Sequence, residues 1–358
     1  MNTELYRFAA HLRELIHSGF PTGHFDALAL ELFALQCNHN AAYRKICEAR
    51  RLTPDTVGHW TQTPAVPATA FKELDLTSLA PHERATVFHS SGTTGQTPSR
   101  HFHNAESLAV YETSLLKWFG QNFFANSEFK IQNSELLILT PPPEQAPHSS
   151  LVHMIETVRQ ISSAPNPVFV GKTAADGVWV LDFEAALAAL HSSLVTRHPP
   201  ILLGTAFSFV HLLDYLAEHH LQFQLPAGSG VMETGGYKNR SRSIPKTELH
   251  ALIIERLGVA RENIICEYGM SELSSQAYAA AGTRFQFPPW ARVQIISPET
   301  GREVGDGETG LIRVFDLANV FSVAAIQTED LAIRRSDGFE LIGRAELAEP
   351  RGCSLMTA

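Results

Sequence analysis

Short apolar runs alternate with helix-length stretches through the middle of this chain. "LLILT", "PVFVG", "ILLGT", "SGVMET" and "NIICEYG" each read as a strand buried on both faces. "AFSFVHLLDYLAEHH" and "TELHALIIERLG" lie between them with helical spacing. Strand–helix alternation of this kind is satisfied by few architectures. Parallel neighbours need crossovers, and helices must cover both faces of the sheet. The expectation is an α/β domain with largely parallel sheet.

The two ends differ from the middle. Residues 4–17 place Leu5, Phe8, Ala9, Leu12, Leu15 and Ile16 on one helical face. "FDALALELFALQ" and "AAYRKICEAR" read as two further helices. "TPAVPATAFKELDL" reads as a Pro-bearing connection without periodicity. The first 70 or so residues are therefore a helical front. From about residue 291, "ARVQIIS", "TGLIRVFD" and "LAIRR…FELIG" read as strands joined by turns, a β-rich end.

Composition excludes several classes. Among 358 residues 44% are hydrophobic, enough for a large core. The net charge of −9, with no Lys/Arg run longer than two, argues against a nucleic-acid partner. No apolar run approaches the ~18 residues of a membrane span. The charged N-terminus does not read as a signal peptide, so a cytoplasmic location is expected. The four cysteines fit neither a disulfide framework nor a zinc spacing. Cys37, Cys47 and Cys266 read as buried small apolar residues. Cys353 stands apart in "EPRGCSLMTA", on a short polar tail.

Four loops carry candidate chemistry. "VFHSSGTTGQTPSRHF" sets Ser90, Ser91, Gly92, Thr93, Thr94 and Gly95 after a strand-like entry. Glycines let backbone N–H groups approach a ligand, and hydroxyls complete an anion cradle. "METGGYKNRSR" offers Gly235, Gly236 and Lys238. "CEYGMSELSS" sets Tyr268, Gly269, Ser271 and Glu272 close together. Tyr268 can stack on a base, Ser271 can meet a phosphate, and Glu272 can hold Mg²⁺, which prefers oxygen ligands. "QTEDLA" offers Asp330 before a strand, where a carboxylate can accept two ribose hydroxyls. Each loop alone is also an ordinary polar turn.

Their order is more specific. "SSGTTG", "YGMSE", "TED" and the "GR" at 343–344 resemble the adenylate-forming superfamily, whose members activate a carboxylate with ATP as an acyl-AMP. The resemblance implies a large α/β domain with helix-flanked sheets. It implies that the first loop holds the phosphates of ATP. It implies that Tyr268, Ser271 and Glu272 serve adenine, the α-phosphate and Mg, and that Asp330 and Arg344 hold the ribose. Two departures stand out. Ser99 follows Pro98 where a Lys is usual, and the chain runs only 14 residues past Arg344. The expectation is a chain without the mobile C-terminal lid domain or its lysine, with Lys238 as partial substitute.

"VPATAFKE", "SSGTTGQTPS", "SSLVHMIE", "GGYK" and the terminal "RGCSL" together resemble the acyl-protein synthetases. These are the long-chain-fatty-acid–protein ligases of bacterial fatty-acid reductase complexes, known from luminous bacteria. The resemblance implies one ATP- and acyl-binding domain over residues 1–345 and a tail over 346–358. It implies that Cys353 takes the acyl group as a thioester and passes it to an acyl reductase partner, in a possible hetero-oligomer. The substrate is then a fatty or related carboxylic acid, with His153 expected near its carboxylate. His89 and His101 flank the phosphate loop and are read as its supports. Two rival readings stay open. One is an acyl- or aryl-CoA ligase resembling phenylacetate–CoA ligases, and the other is a non-catalytic acyl- or nucleotide-binding subunit.

Overall fold

The computed structural model describes residues 3–90, 97–124, 135–162, 167–236 and 241–345. Three helices lead: α1 (Thr3–Ser18), α2 (Phe25–His39) and α3 (Ala41–Ala49). The apolar stripe of α1 is the buried one, with Leu5, Phe8, Ala9, Leu12 and Ile16 inside. Asn40 caps α3 by accepting from the Tyr43 N–H at 3.1 Å. Gln36 stitches this front to a distant loop. Its Nε2 donates to the Asn319 carbonyl at 2.8 Å, and its Oε1 accepts from the Ala324 N–H at 3.0 Å.

The connection after α3 is not featureless. It holds β1 (Val66–Pro67) and α4 (Ala70–Glu73). Two residues carry no period, and the partner strand of β1 lies some 260 positions away, at Ile326 and Gln327. Sequence pattern cannot report such a pairing. Pro67 is tolerated because β1 is an edge strand.

The chain continues through β2 (Thr86–His89), β3 (Arg100–His103), α5 (Ala105–Phe124), β4 (Glu135–Ile138), α6 (Ser150–Ile161) and β5 (Val168–Phe169). Then come β6 (Gly171–Thr173), β7 (Trp179–Leu181), α7 (Phe183–Thr196), β8 (Pro200–Thr205), α8 (Ala206–Glu218) and β9 (Gly230–Thr234). The remainder is α9 (Lys246–Leu257), β10 (Ile264–Tyr268), β11 (Ala277–Ala280), β12 (Ala291–Ile296), β13 (Thr309–Asp316), β14 (Ala325–Arg335) and β15 (Gly338–Arg344).

The central sheet has the order β5-β4-β8-β9-β10-β11. All its pairings are parallel except β10 with β11. Strands β8, β9 and β10 are buried at every position, as their continuous apolar runs require. One apolar cluster joins this sheet to α7, α8 and α9. A second joins it to α5 and α6. The expected α/β architecture is present, with helices on both faces.

The second sheet, β1-β14-β13-β12 with β15 beside β14, is antiparallel apart from β1. It is the β-rich end read from sequence, with one correction. "QTED" was expected before a strand, yet β14 runs through it from Ala325 to Arg335. The polar residues Gln327, Thr328, Glu329 and Asp330 coincide with an irregularity in the ladder, where the β13 register shifts between Leu311 opposite Leu331 and Arg313 opposite Gln327, yet β14 continues through them. Among the described residues no helix is long and apolar enough to cross a membrane.

Candidate functional site

The C-terminal ends of β9 and β10 open onto one edge of the central sheet. Ligands in such folds bind beyond strand C-termini. The chain leaves β9 at Thr234 and enters Gly235 and Gly236. It leaves β10 at Tyr268 and enters Gly269 to Glu272. Gly235 has φ +71°, where a side chain would be strained. Gly269 is close-packed instead: a Cβ there would stand 2.3 Å from Glu267 Oε1 and force that carboxylate to move.

Tyr268 is the hinge of the cluster. Its ring meets Phe285, Phe287 and Phe339 edge-on. It is 6% exposed. Its hydroxyl donates to Asp330 Oδ2 at 2.9 Å. Asp330 stands in register with Arg344 across β14 and β15. Tyr268, Asp330 and Arg344, far apart in sequence, thus meet. Burial pushes the Asp330 carboxyl up, while Tyr268 and Arg344 oppose it. Arg344 is 76% exposed and contacts Glu329 at 3.6 Å, so its guanidinium can turn to a ligand.

Ser271 and Glu272 join this group to the hairpin β2–β3. Ser90 and Ser99 close the hairpin's neck reciprocally. The Ser90 N–H donates to Ser99 Oγ at 3.3 Å, and the Ser99 N–H to Ser90 Oγ at 3.0 Å. Ser99 Oγ lies 3.3 Å from Ser271 Oγ, which donates to Glu272 Oε2 at 3.0 Å. His101 Nδ1 donates to the Ser271 carbonyl at 2.8 Å. Burial lowers the His101 imidazole to about 4, so it is a neutral prop at physiological pH. His101 thus supports the hairpin and the Ser271 loop together. His89 instead stacks on His148, with ring centroids 4.7 Å apart.

Behind the loop is a support that sequence reasoning missed. Asp316, fully buried at the end of β13, accepts from the Ser274 and Ser275 N–H groups at 3.0 and 2.7 Å. It also accepts from Ser275 Oγ at 2.7 Å and from the Ala318 N–H at 2.9 Å. Burial pushes its carboxyl up to about 6, and these donors resist that. Asn319 Nδ2 donates to the Glu272 carbonyl at 2.9 Å. The only sequence signal was a lone Asp closing an apolar strand in "RVFD".

His153 has other neighbours. Its Nε2 contacts Glu112 Oε1 at 3.1 Å, and its ring packs on Phe88 and Tyr111. A file of rings, His153–Phe88–His103–His101, runs from it toward the Ser271 carbonyl. Ser91, Gly92, Thr93, Thr94, Gly95, Lys238 and Cys353 lie outside the described residues.

Two buried acids, Glu267 and Glu233, lie on the adjacent strands beneath Gly235 and Gly269 and point to opposite faces of the sheet. Glu267 accepts from Thr234 Oγ1, and burial pushes its carboxyl up to about 7. An unfolded glutamate titrates near its ordinary 4.5. Between the two values the folded state binds more protons than the unfolded one. Stability therefore falls as pH rises from about 4.5 through 7. Glu267→Gln removes this term, so its stability relative to wild type should rise by roughly 3 kcal/mol between pH 4.5 and 8. Urea unfolding of both proteins across that range measures it. A constant gap would mean that Glu267 titrates normally.

On the opposite face of the same strands, Glu233, His250 and Cys266 cluster, with Lys246 Nζ 3.1 Å from Glu233 Oε1. Burial pushes the Glu233 carboxyl up, but His250, Lys246 and Cys266 outweigh it and hold it low. Burial also pushes the Cys266 thiol up. Cys266 is buried as expected, yet it is part of a polar cluster and not an apolar filler.

The fold is that of the adenylate-forming enzymes, with 14% identity and TM-score 0.64 to an open 2-hydroxyisobutyryl-CoA ligase solved with 2-HIB-AMP and CoA. That likeness covers 91% of this chain and 76% of the other. A postadenylation structure of the same ligase gives TM-score 0.66, again at 14% identity, covering 91% and 69%. Within that class the chain belongs to the LuxE acyl-protein synthetase family, whose model matches residues 23–358. It is a ligase. It is 24% identical to the long-chain-fatty-acid–luciferin-component ligase of Aliivibrio fischeri, over 93% of this chain and 87% of that one. To the ligase of the same name from Vibrio harveyi it is 22% identical, over 89% and 83%.

Proposed function

We propose that this enzyme activates a fatty or related carboxylic acid with ATP and carries the acyl group on Cys353. The supporting observation is the Tyr268–Asp330 hydrogen bond, with Arg344 in register opposite Asp330 and Ser271 and Glu272 on the loop that follows Tyr268. An acidic acceptor and an exposed cation on neighbouring strands are the groups a ribose and phosphates would need.

In the first step a carboxylate oxygen attacks the α-phosphorus of ATP. The bond from that phosphorus to the bridging oxygen breaks and pyrophosphate leaves. Asp330 accepts the ribose hydroxyls, held in place by the Tyr268 hydroxyl. Ser271 and the 90–95 loop bind phosphate oxygens, and Gly235 and Gly236 leave room for the nucleotide. The donor set of Glu272, Ser271 and Ser99 is all oxygen, which suits Mg²⁺. Glu272 would hold that ion, which offsets charge on the phosphates. Lys238 is the nearest sequence candidate for the cation that meets the charge of the transition state. His153 is proposed to stand toward the acyl end.

In the second step the Cys353 thiolate attacks the acyl carbonyl. The bond from the carbonyl carbon to the phosphate oxygen breaks and AMP leaves. The thiol proton passes to solvent. Residues 1–345 are then the activating domain and 346–358 the carrier tail. The thioester goes on to an acyl reductase subunit. A thiol on a rigid strand could not reach both a closed site and a second protein. Intact-mass measurement after incubation with ATP, Mg²⁺ and a panel of carboxylic acids tests the reading. A hydroxylamine-labile adduct with long-chain acids is expected, and its absence with every acid would overturn the reading.

Asp330→Ala should weaken ATP binding by roughly 1.5–3 kcal/mol, the worth of a charged acceptor. The fold should hold, because Asp330 is only partly buried. Calorimetric titration measures it, and unchanged affinity would remove Asp330 from the site.

A further inference from the structure

The cluster on β9, α9 and β10 has the make-up of a metal site. Glu233, Cys266 and His250 are 0, 5 and 9% exposed. One ligand atom from each lies within 4.8 Å of the other two. His250 Nε2 is 3.4 Å from Glu233 Oε1 and 3.6 Å from Cys266 Sγ. Ligands held about 2.0–2.3 Å from a tetrahedral zinc stand about 3.3–3.8 Å from one another. The two measured separations fall in that range. A second observation points the same way. Glu233 Oε2 is fully buried and has no hydrogen-bond partner among the described residues. An orphaned carboxylate oxygen in a dry interior is costly unless something positive reaches it.

We propose that Glu233, His250 and Cys266 bind one zinc-class divalent cation beneath the nucleotide site. The donor set of sulfur, imidazole nitrogen and carboxylate suits zinc better than magnesium or calcium. Sequence pattern conceals it, because the spacings of 17 and 16 residues match no zinc motif. The parallel register of β9 and β10 brings Glu233 beside Cys266, and α9 supplies His250.

Lys246 decides how the site loads. Its ammonium pairs with Glu233 Oε1, yet its side chain is 38% exposed. It can withdraw to solvent when a dication takes its place. The charges then balance. Without metal, a glutamate anion faces a lysine cation beside a neutral thiol. With metal, the carboxylate and a thiolate neutralise the dication. Cys266 gives up its proton to solvent and no electrons move. The cation would clamp the two strands that carry Gly235 and Tyr268 two residues further on. It would act on the shape of the site and take no part in the reaction. This inference does not rest on the acyl-transfer reading, and either can fail alone.

The test is cobalt titration of Cys353→Ser protein, so that the tail thiol cannot contribute. One Co²⁺ per chain is expected, with a thiolate-to-cobalt absorption band that zinc abolishes. Zinc should also raise the Tm. Cys266→Ser should remove the band, and His250→Gln should weaken binding at least about tenfold. Lys246→Met removes the competing ammonium and should tighten binding, the outcome opposite to that of a mere ion-pair cluster. If the ligand variants fail to fold, Lys246→Met decides alone: unchanged or weaker binding overturns the site. A band that survives Cys266→Ser, or no thiolate band in the parent protein, also overturns it.

Discussion

Cys353→Ser protein should still make acyl-AMP and should carry no hydroxylamine-labile acyl group. Stoichiometry of acyl label should fall from about one per chain to none. Every ATP ligand proposed here lies upstream and stays in place. A serine hydroxyl is a far weaker nucleophile than a thiolate near neutral pH, and a base would be needed to activate it. Truncation after Arg351 should have the same effect. The other three thiols are buried and should stay unlabelled. Peptide mapping after incubation with ATP and labelled acid measures this. Label on another residue, or normal acyl delivery to a reductase by Cys353→Ser, would return the CoA-ligase reading.

The legible parts of this protein are those with local causes. The stripe on α1 and the apolar runs of β8, β9 and β10 report burial directly, because each element's period is written in adjacent residues. The order of the Tyr268–Glu272, Asp330 and Arg344 motifs gave the class of chemistry through resemblance. What stayed hidden depends on register between distant strands. Asp330 looked like a loop residue because polar side chains over 327–330 mask a strand that passes through the site. His101 was read as loop support, but its grip on the Ser271 carbonyl needs hairpin and loop side by side. Glu233 and Cys266 become neighbours only through the β9–β10 pairing. No local pattern announces such a pair.

Asp316→Ala should be the most destabilising single change near the site. The carboxylate is fully buried and accepts four hydrogen bonds, three from backbone N–H groups. An alanine leaves those donors in a dry interior, where each orphan costs about 1–3 kcal/mol. The costs do not add fully, because the loop can relax toward solvent. A net loss of about 3 kcal/mol or more is expected, a large share of the stability of most domains. The loss is also local in its geometry. Ser274 and Ser275 lie two and three residues after Glu272, so the Glu272 carboxylate loses its backing while Asn319 still holds its carbonyl. Adenylation should therefore fall more than the unfolded fraction accounts for, even well below the Tm. Asp316→Asn separates charge from shape. Its amide keeps one acceptor oxygen but turns a second donor toward donors, so it should recover only part of the loss. Urea unfolding and pyrophosphate exchange on the three proteins measure both effects. If Asp316→Ala costs less than about 1 kcal/mol, the four contacts do not carry the loop. If exchange tracks the folded fraction alone, Asp316 supports the fold and not the position of Glu272.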